Sequence, residues 1–397
     1  MTSMFDIIKL SAVLIFIVIL LRRKYRIGIV LLNASGLLAL LYLMHPAKIA
    51  ATMGAAVISP ITIKLTLSLT LIRVLELILR ENNVLADMME ASKSLFKNRK
   101  LVIISMPMLI GMLPSLGGAY FSAPMVDEST KGLKMSQEEK GFINFWFRHP
   151  WEYVLPLYPG ILLASAISGV ELRTLIIVNL PYALTMLITG FFLSMKDIKG
   201  NVESVQVSKK GFFSFIPIGI IILLVIVFHV ELHLALSILV VGLLVFYRYR
   251  FSNIMRALRY GFALEVILLV LGVMLFKEMM DGTGAVRNLG EFFMSKGVPL
   301  MLLLFILPFT SGFLTGITVG SVSSTFPLIL HMLHGSPIGA VSFAFASAFL
   351  GVLLSPVHVC LILTREYFNA DIWAIYSKML PACAVIFAVA VVEYICL

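Results

Sequence analysis

The stretch NFWFRHPWEYVLPLYP, residues 144–159, sets Asn144, Arg148, His149 and Glu152 into an otherwise apolar segment that also holds Pro150, Pro156 and Pro159. Charged side chains within apolar spans are costly, so they face a cavity or a partner and are functional candidates by default. Here Arg148 would attract an anion, while His149 or Glu152 would exchange protons. Arg148 and Glu152 also stand four residues apart, the spacing at which opposite charges on one helix neutralise each other, and a long arginine can snorkel to an interface. The prolines lack an N–H and preclude a regular helix through this stretch.

Two other stretches carry chemistry in their backbone. PMLIGMLPSLGGAYFSAP, residues 107–124, has a tip at Pro114, Ser115, Leu116, Gly117 and Gly118. Pro114 is expected to interrupt the incoming half-helix, and the paired glycines permit positive φ and a close approach of backbone to ligand. LTGITVGSVSSTFP, residues 314–327, offers Thr315, Gly316, Thr318, Gly320, Ser321 and Ser323, with Ser324 and Thr325 beyond. A half-helix that ends in a membrane presents free carbonyls to a cation, and one that begins there presents amides to an anion. Taken singly, each of these small residues also serves helix packing. FAFASAFLGVLLSP, residues 343–356, matches the first stretch but has Ala346 and Ser347 in place of the arginine and histidine. It is expected to break at Gly351, Ser355 and Pro356, with His358 just beyond.

Weaker signals are His229, Glu231 and His233, and the pair His331 and His334, each short of a zinc ligand set, so no metal is predicted. Glu265 stands within a span as a candidate proton carrier. Lys64, Arg73 and Glu76 lie on one long, tilted span, 49–78, where they pair or reach an interface. HExxH, GxSxG and ATP-binding loops are absent, which argues against an enzyme.

These residues need elements to hold them, and composition sets the class of those elements. Of 397 residues, 60% are hydrophobic and 13% charged, too much apolar material for one soluble core. The expected fold is an all-α polytopic membrane protein. Apolar runs near 5–21, 26–44, 49–78, 142–169, 174–195, 211–230, 232–248, 260–279, 337–362 and 371–395 give about ten transmembrane helices. The stretches 101–126 and 298–329 are read as re-entrant hairpins. Loops then place 21 Lys and Arg on one face against five on the other, whereas counting either hairpin as a span inverts that bias. The net charge of +10 is therefore positive-inside bias rather than a nucleic-acid surface, and both termini are expected outside. Basic residues follow the first run instead of preceding it, the reverse of a cleavable signal. Three cysteines imply no disulfide framework.

Pro107, Gly111 and Leu113 recur as Pro308, Gly312 and Leu314, Phe145 aligns with Phe343, and Leu180 with Leu380. The chain is accordingly read as two inverted repeats, 1–200 and 201–397, each with three spans, an amphipathic helix, a hairpin and two more spans. Paired interrupted segments in inverted repeats are the pattern of secondary transporters, whose substrate site lies near the midplane between repeats.

GMLPSLGGAYFSAPMVDE together with NFWFRHPWEYVLPLYPG resembles a prokaryotic family of uncharacterised integral membrane proteins in the ion transporter superfamily. That superfamily also holds gluconate permeases, sodium/dicarboxylate symporters and sodium/proton antiporters. The resemblance implies a homodimer formed through a scaffold domain in the prokaryotic inner membrane, and a hairpin-bearing domain that carries substrate across. The Ser-Asn-Thr signature of the sodium/dicarboxylate branch is missing from both tips, since neither holds an asparagine.

The expected function is secondary transport of a small anionic solute, with H+ or Na+ as coupling ion and no other cofactor. A Na+/H+ antiporter without organic substrate and a membrane subunit of a multi-component uptake system are the alternatives. The site would be built from Asn144, Arg148, His149, Glu152, Ser355, His358 and the two tips.

Overall fold

The computed structural model describes residues 2–23, 25–95, 98–114, 118–196, 198, 211, 213–283, 296–330, 332–333 and 337–397. It is all-helical. In chain order the helices are α1 Thr2–Arg22, α2 Ile27–Leu41, α3 Pro46–Ile58, α4 Pro60–Glu81, α5 Val84–Leu95, α6 Arg99–Gly111 and α7 Gly118–Ser129. Then come α8 Gln137–Trp146, α9 Trp151–Val154, α10 Pro159–Ser168, α11 Leu172–Val178 and α12 Leu180–Ser194. The second half has α13 Ile216–Ile222 running into a π-turn, α14 Leu232–Phe246, α15 Phe251–Gly261, α16 Leu264–Thr283, α17 Leu300–Thr315, α18 Thr318–Leu330, α19 Ile338–Leu353, α20 Val359–Phe368 and α21 Ile372–Cys396.

Among the described residues, Leu172–Ser194, Phe251–Thr283 and Ile372–Cys396 are long and apolar enough to cross a membrane, and α3 with α4 would make a fourth. Six apolar helices are shorter. Leu40, Phe192, Val245, Phe246 and Ile395 are exposed on their surfaces, where water would penalise them and lipid would not. Together these features point to a membrane protein.

Local sequence explains where the helices begin and end. Ser136 and Glu139 close a capping box at the start of α8, each side chain accepting the other's backbone N–H. Asp371 caps α21 by accepting the Ala374 N–H at 2.9 Å. The apolar run 49–78, expected as one long tilted span, instead bends by 47° between α3 and α4, because Pro60 cannot donate to the turn before it. Likewise α6 stops at Gly111, ahead of Pro114. Gly351, expected as a break, lies inside α19, which runs on to Leu353.

Elements recur along the chain at a nearly constant offset. Helices α2 and α14 are both 15 residues long, and each is followed by a left-handed residue, Leu43 and Arg248. Helices α10 and α20 are both ten residues long, and their C-caps Gly169 and Asn369 are both left-handed. Packing recurs as well: α2 lies on α16 and α14 on α4, while α6 pairs with α7 and α17 with α18. Two ion pairs sit at corresponding places with their signs exchanged. Arg26, at the start of α2, meets Glu265 at 3.0 Å, and Glu231, at the start of α14, meets Lys64 at 2.7 Å.

The core is densest around α8 and α19. Residues 142–149 and 339–353 are buried throughout, and Trp146, Phe142, Phe145, Phe345 and Phe349 are among the largest enclosed side chains.

Candidate functional site

Two helix breaks face one another at the centre. In the first, α8 ends at Trp146, α9 is a single turn, and α10 starts at Pro159. In the second, α19 ends at Leu353 and α20 starts at Val359. Each break supplies side chains that satisfy carbonyls at the end of a neighbouring helix. Tyr158 donates its hydroxyl to the Gly111 carbonyl and Trp151 Nε1 donates to Met108 at 2.8 Å. On the other side Ser355 Oγ donates to Phe313 at 2.6 Å and His358 Nδ1 donates to Gly316 at 2.7 Å. Carbonyls at helix C-termini have no intrahelical partner, and this part of the core is buried from solvent, so such donors are needed.

Glycines let these elements meet. A Cβ on Gly111 would run into the Arg148 carbonyl, and one on Gly312 into the Ala348 carbonyl. Gly316 takes φ +67°, and a Cβ there would stand 2.9 Å from the His358 backbone nitrogen. Gly160 lies against Thr318, whose Cγ2 would be 2.7 Å from an added Cβ.

At the contact between the breaks, His149 Nε2 lies 3.1 Å from His358 Nε2. His149 is 1% exposed and His358 8%. Each ring is oriented by its other nitrogen: His149 Nδ1 bonds the Phe145 carbonyl at 2.5 Å, and His358 Nδ1 bonds Gly316. Carbonyls only accept, so both Nδ1 atoms carry a hydrogen and both Nε2 atoms face each other as lone pairs when the rings are neutral. Cys360 completes a group of three whose ligand atoms all lie within 4.8 Å of one another. Phe145 and Phe349 wall the rings, with centroids 4.4 Å and 6.2 Å from that of His149. Glu152 is close enough for its charge to act on both imidazoles, and its Oε2 accepts from Thr318 Oγ1 at 2.8 Å.

The structure thus brings together His149, Glu152, Gly316, Thr318, Ser355 and His358. Glu152 is turned to Thr318 and away from the neutralising role with Arg148 that their spacing suggested. Arg148 is 3% exposed at the same break. Thr315, Ser321 and Ser323 are buried, but each hydroxyl bonds a carbonyl within the α17–α18 pair: Ser311, Pro308 and Val319 respectively. Gly320 is buried in α18 beside Thr315. Pro114 is half-buried after α6 and Gly118 is buried at the start of α7. Ser115, Leu116 and Gly117 lie outside the described residues, as do His331 and His334.

Asn144 is buried and ties three elements together. Its Nδ2 donates to Ala119 at 3.0 Å and to Thr364 Oγ1 at 2.9 Å, while its Oδ1 accepts from Ser122 at 2.6 Å. A second polar group was not anticipated: Glu393 Oε1 accepts from Tyr182 at 2.7 Å and from Ser342 at 2.9 Å, and Ser342 also bonds Asn179. Glu265 sits apart from the breaks, half-exposed and paired with Arg26. Cys360 also escaped sequence reasoning. Its only signal was the His358-x-Cys360 spacing just past a break, which means nothing until His149 joins it.

Two cavities among the described residues differ in character. One of about 590 Å³ is bordered by Ile104, Met108, Phe147, Trp151 and Phe191 and is almost wholly apolar, unsuited to a charged solute. The other, about 270 Å³, has a mixed lining in which Lys64, Glu171, Arg173, His229, Glu231 and His233 stand among apolar side chains.

Residues 7–397 match the model of a family described as protein of unknown function (DUF401). The chain belongs to that family. No curated protein matches it.

Proposed function

We propose that this member of the family is a secondary active transporter of a small, anionic, carboxylate-like solute, coupled to H+ or Na+. It works by alternating access, with the site where the two broken segments meet. The observation that carries the reading is the contact of His149 with His358. Side chains 209 residues apart, each at a break in an apolar helix, converge in the densest part of the molecule. Irregular backbone at membrane depth is tolerated where it is buried in protein or lines a cavity, and transporters place their sites at such breaks. Arg148, buried at the same break, supplies positive charge for an anion.

The finer architecture belongs to this proposal: about ten spans, two re-entrant hairpins formed by α6–α7 and α17–α18, and two inverted repeats within the ion transporter superfamily. Matched helix lengths, the paired left-handed caps and the charge-exchanged ion pairs support it, since a duplicated scaffold would put equivalent contacts at equivalent places. The Na+/H+ antiporter reading draws on one feature, the Glu152 carboxylate beside the Thr318 hydroxyl, which are oxygen ligands suited to a hard cation.

The test is thermal unfolding of the purified protein against a panel of organic and inorganic anions, each with sodium or potassium and at two pH values. Ligands that bind the folded state raise its unfolding temperature. Stabilisation by an organic anion supports the proposal. Stabilisation by sodium alone, with every anion inert, replaces it with the antiporter, and no response to any ion removes transport of these solutes.

A further inference from the structure

We propose that His149, His358 and Cys360 bind one divalent transition-metal ion of the zinc class between the two helix breaks. The inference goes beyond transport and does not depend on it.

The donor geometry carries the argument. Both Nδ1 atoms are committed to carbonyls, of Phe145 and Gly316, which leaves two bare Nε2 lone pairs 3.1 Å apart. Two lone pairs at that separation repel unless a cation lies between them. Metal-binding histidines use this same arrangement, with the distal N–H held by a carbonyl so that the ring is fixed and the other nitrogen is free. With Zn–N bonds of about 2.0–2.1 Å, a tetrahedral ion would separate its two nitrogens by about 3.3 Å. The observed 3.1 Å needs only a small adjustment.

A shared proton would also relieve the two nitrogens, but it has no use for the third corner. The Cys360 sulfur and one nitrogen of each ring all lie within 4.8 Å of one another. Two imidazoles and a thiolate favour zinc, cobalt or nickel over sodium or magnesium, which prefer oxygen. Three protein ligands leave a fourth position open.

Cobalt(II) reports this site directly, because a tetrahedral Co(II) thiolate absorbs strongly in both its ligand-field and sulfur-to-metal charge-transfer bands. Full-length protein carrying Cys383→Ser and Cys396→Ser should bind one Co(II) per chain with a charge-transfer band, and zinc should displace it. Adding Cys360→Ser should abolish that band and weaken binding by about tenfold or more. His358→Ala should weaken it similarly. So that misfolding of a variant cannot decide the outcome, a second measurement uses the unaltered chain: one equivalent of zinc should slow alkylation of Cys360, followed peptide by peptide. A Co(II) complex without a charge-transfer band, affinity indifferent to Cys360→Ser, or alkylation of Cys360 unchanged by zinc would each overturn the proposal.

Discussion

His149 and His358 face each other through Nε2 atoms 3.1 Å apart, each ring locked by a hydrogen bond from its Nδ1 to a carbonyl. Neighbours that share a partner do not contribute independently. Replacing either ring with phenylalanine strands one carbonyl in a dry core and should cost about 1–3 kcal/mol. The double replacement should depart from the sum of the singles by about 0.5–3 kcal/mol. Unfolding temperatures of the four proteins in detergent measure this, and strict additivity would show that the rings do not interact.

Gly111 and Gly312 make the same contact in the two halves, backbone against the carbonyls of Arg148 and Ala348. Alanine at either position forces the helices apart, an overpacking cost of about 1–3 kcal/mol. Gly36 and Gly242 have open space around them, so alanine there should stabilise by up to about 1 kcal/mol through helix propensity. Similar losses at Gly111 and Gly312, set against no loss at Gly36 and Gly242, is the pattern expected in a thermal-unfolding series.

Gly316 and Gly169 both have φ near +70°, but they differ in surroundings. Nothing lies within 4 Å of a Cβ on Gly169, whereas one on Gly316 meets the backbone of His358. Gly169→Ala should therefore cost only the left-handed conformation, about 1 kcal/mol. Gly316→Ala should cost more and should also disturb the His358–Gly316 bond. Equal losses at the two sites would mean that the contact is slack.

The pairs Arg26–Glu265 and Lys64–Glu231 are about half-exposed, so each is worth less than about 1 kcal/mol. Reversing one charge should lower the unfolding temperature slightly, and reversing both members should recover most of it. The hydrogen bond from Lys64 holds the Glu231 carboxyl below its ordinary range. A lowered carboxylate stabilises the fold above the unfolded value of about 4.3, and that contribution is lost as pH falls through the folded value. Lys64→Gln should flatten this part of the stability profile in a pH series of melting curves.

Much of this architecture is local and can be read along the chain. Apolar composition sets the membrane class, because no soluble core could absorb so much apolar surface. The breaks after Trp146 and Leu353 follow from Pro150, Pro156, Pro159 and Pro356, which lack a donor wherever they fall. Prolines were less informative where packing tolerates them: Pro107, Pro308 and Pro381 stand inside helices. Gly351 misled for a similar reason, since its missing side chain serves a close approach to Phe309 and not a break.

Partnerships across more than 160 residues leave no local trace. The Arg148 and Glu152 spacing suggested a pair on one helix, yet the intervening break turns Glu152 toward Thr318, 166 residues away. His149, His358 and Cys360 are unremarkable singly and become a three-donor cluster when two broken helices dock. Backbone preference and hydropathy act between neighbours in sequence, which is why class and breaks were visible there. Hydrogen-bond partners at the centre are chosen by which helices pack together, and that is a property of the folded molecule.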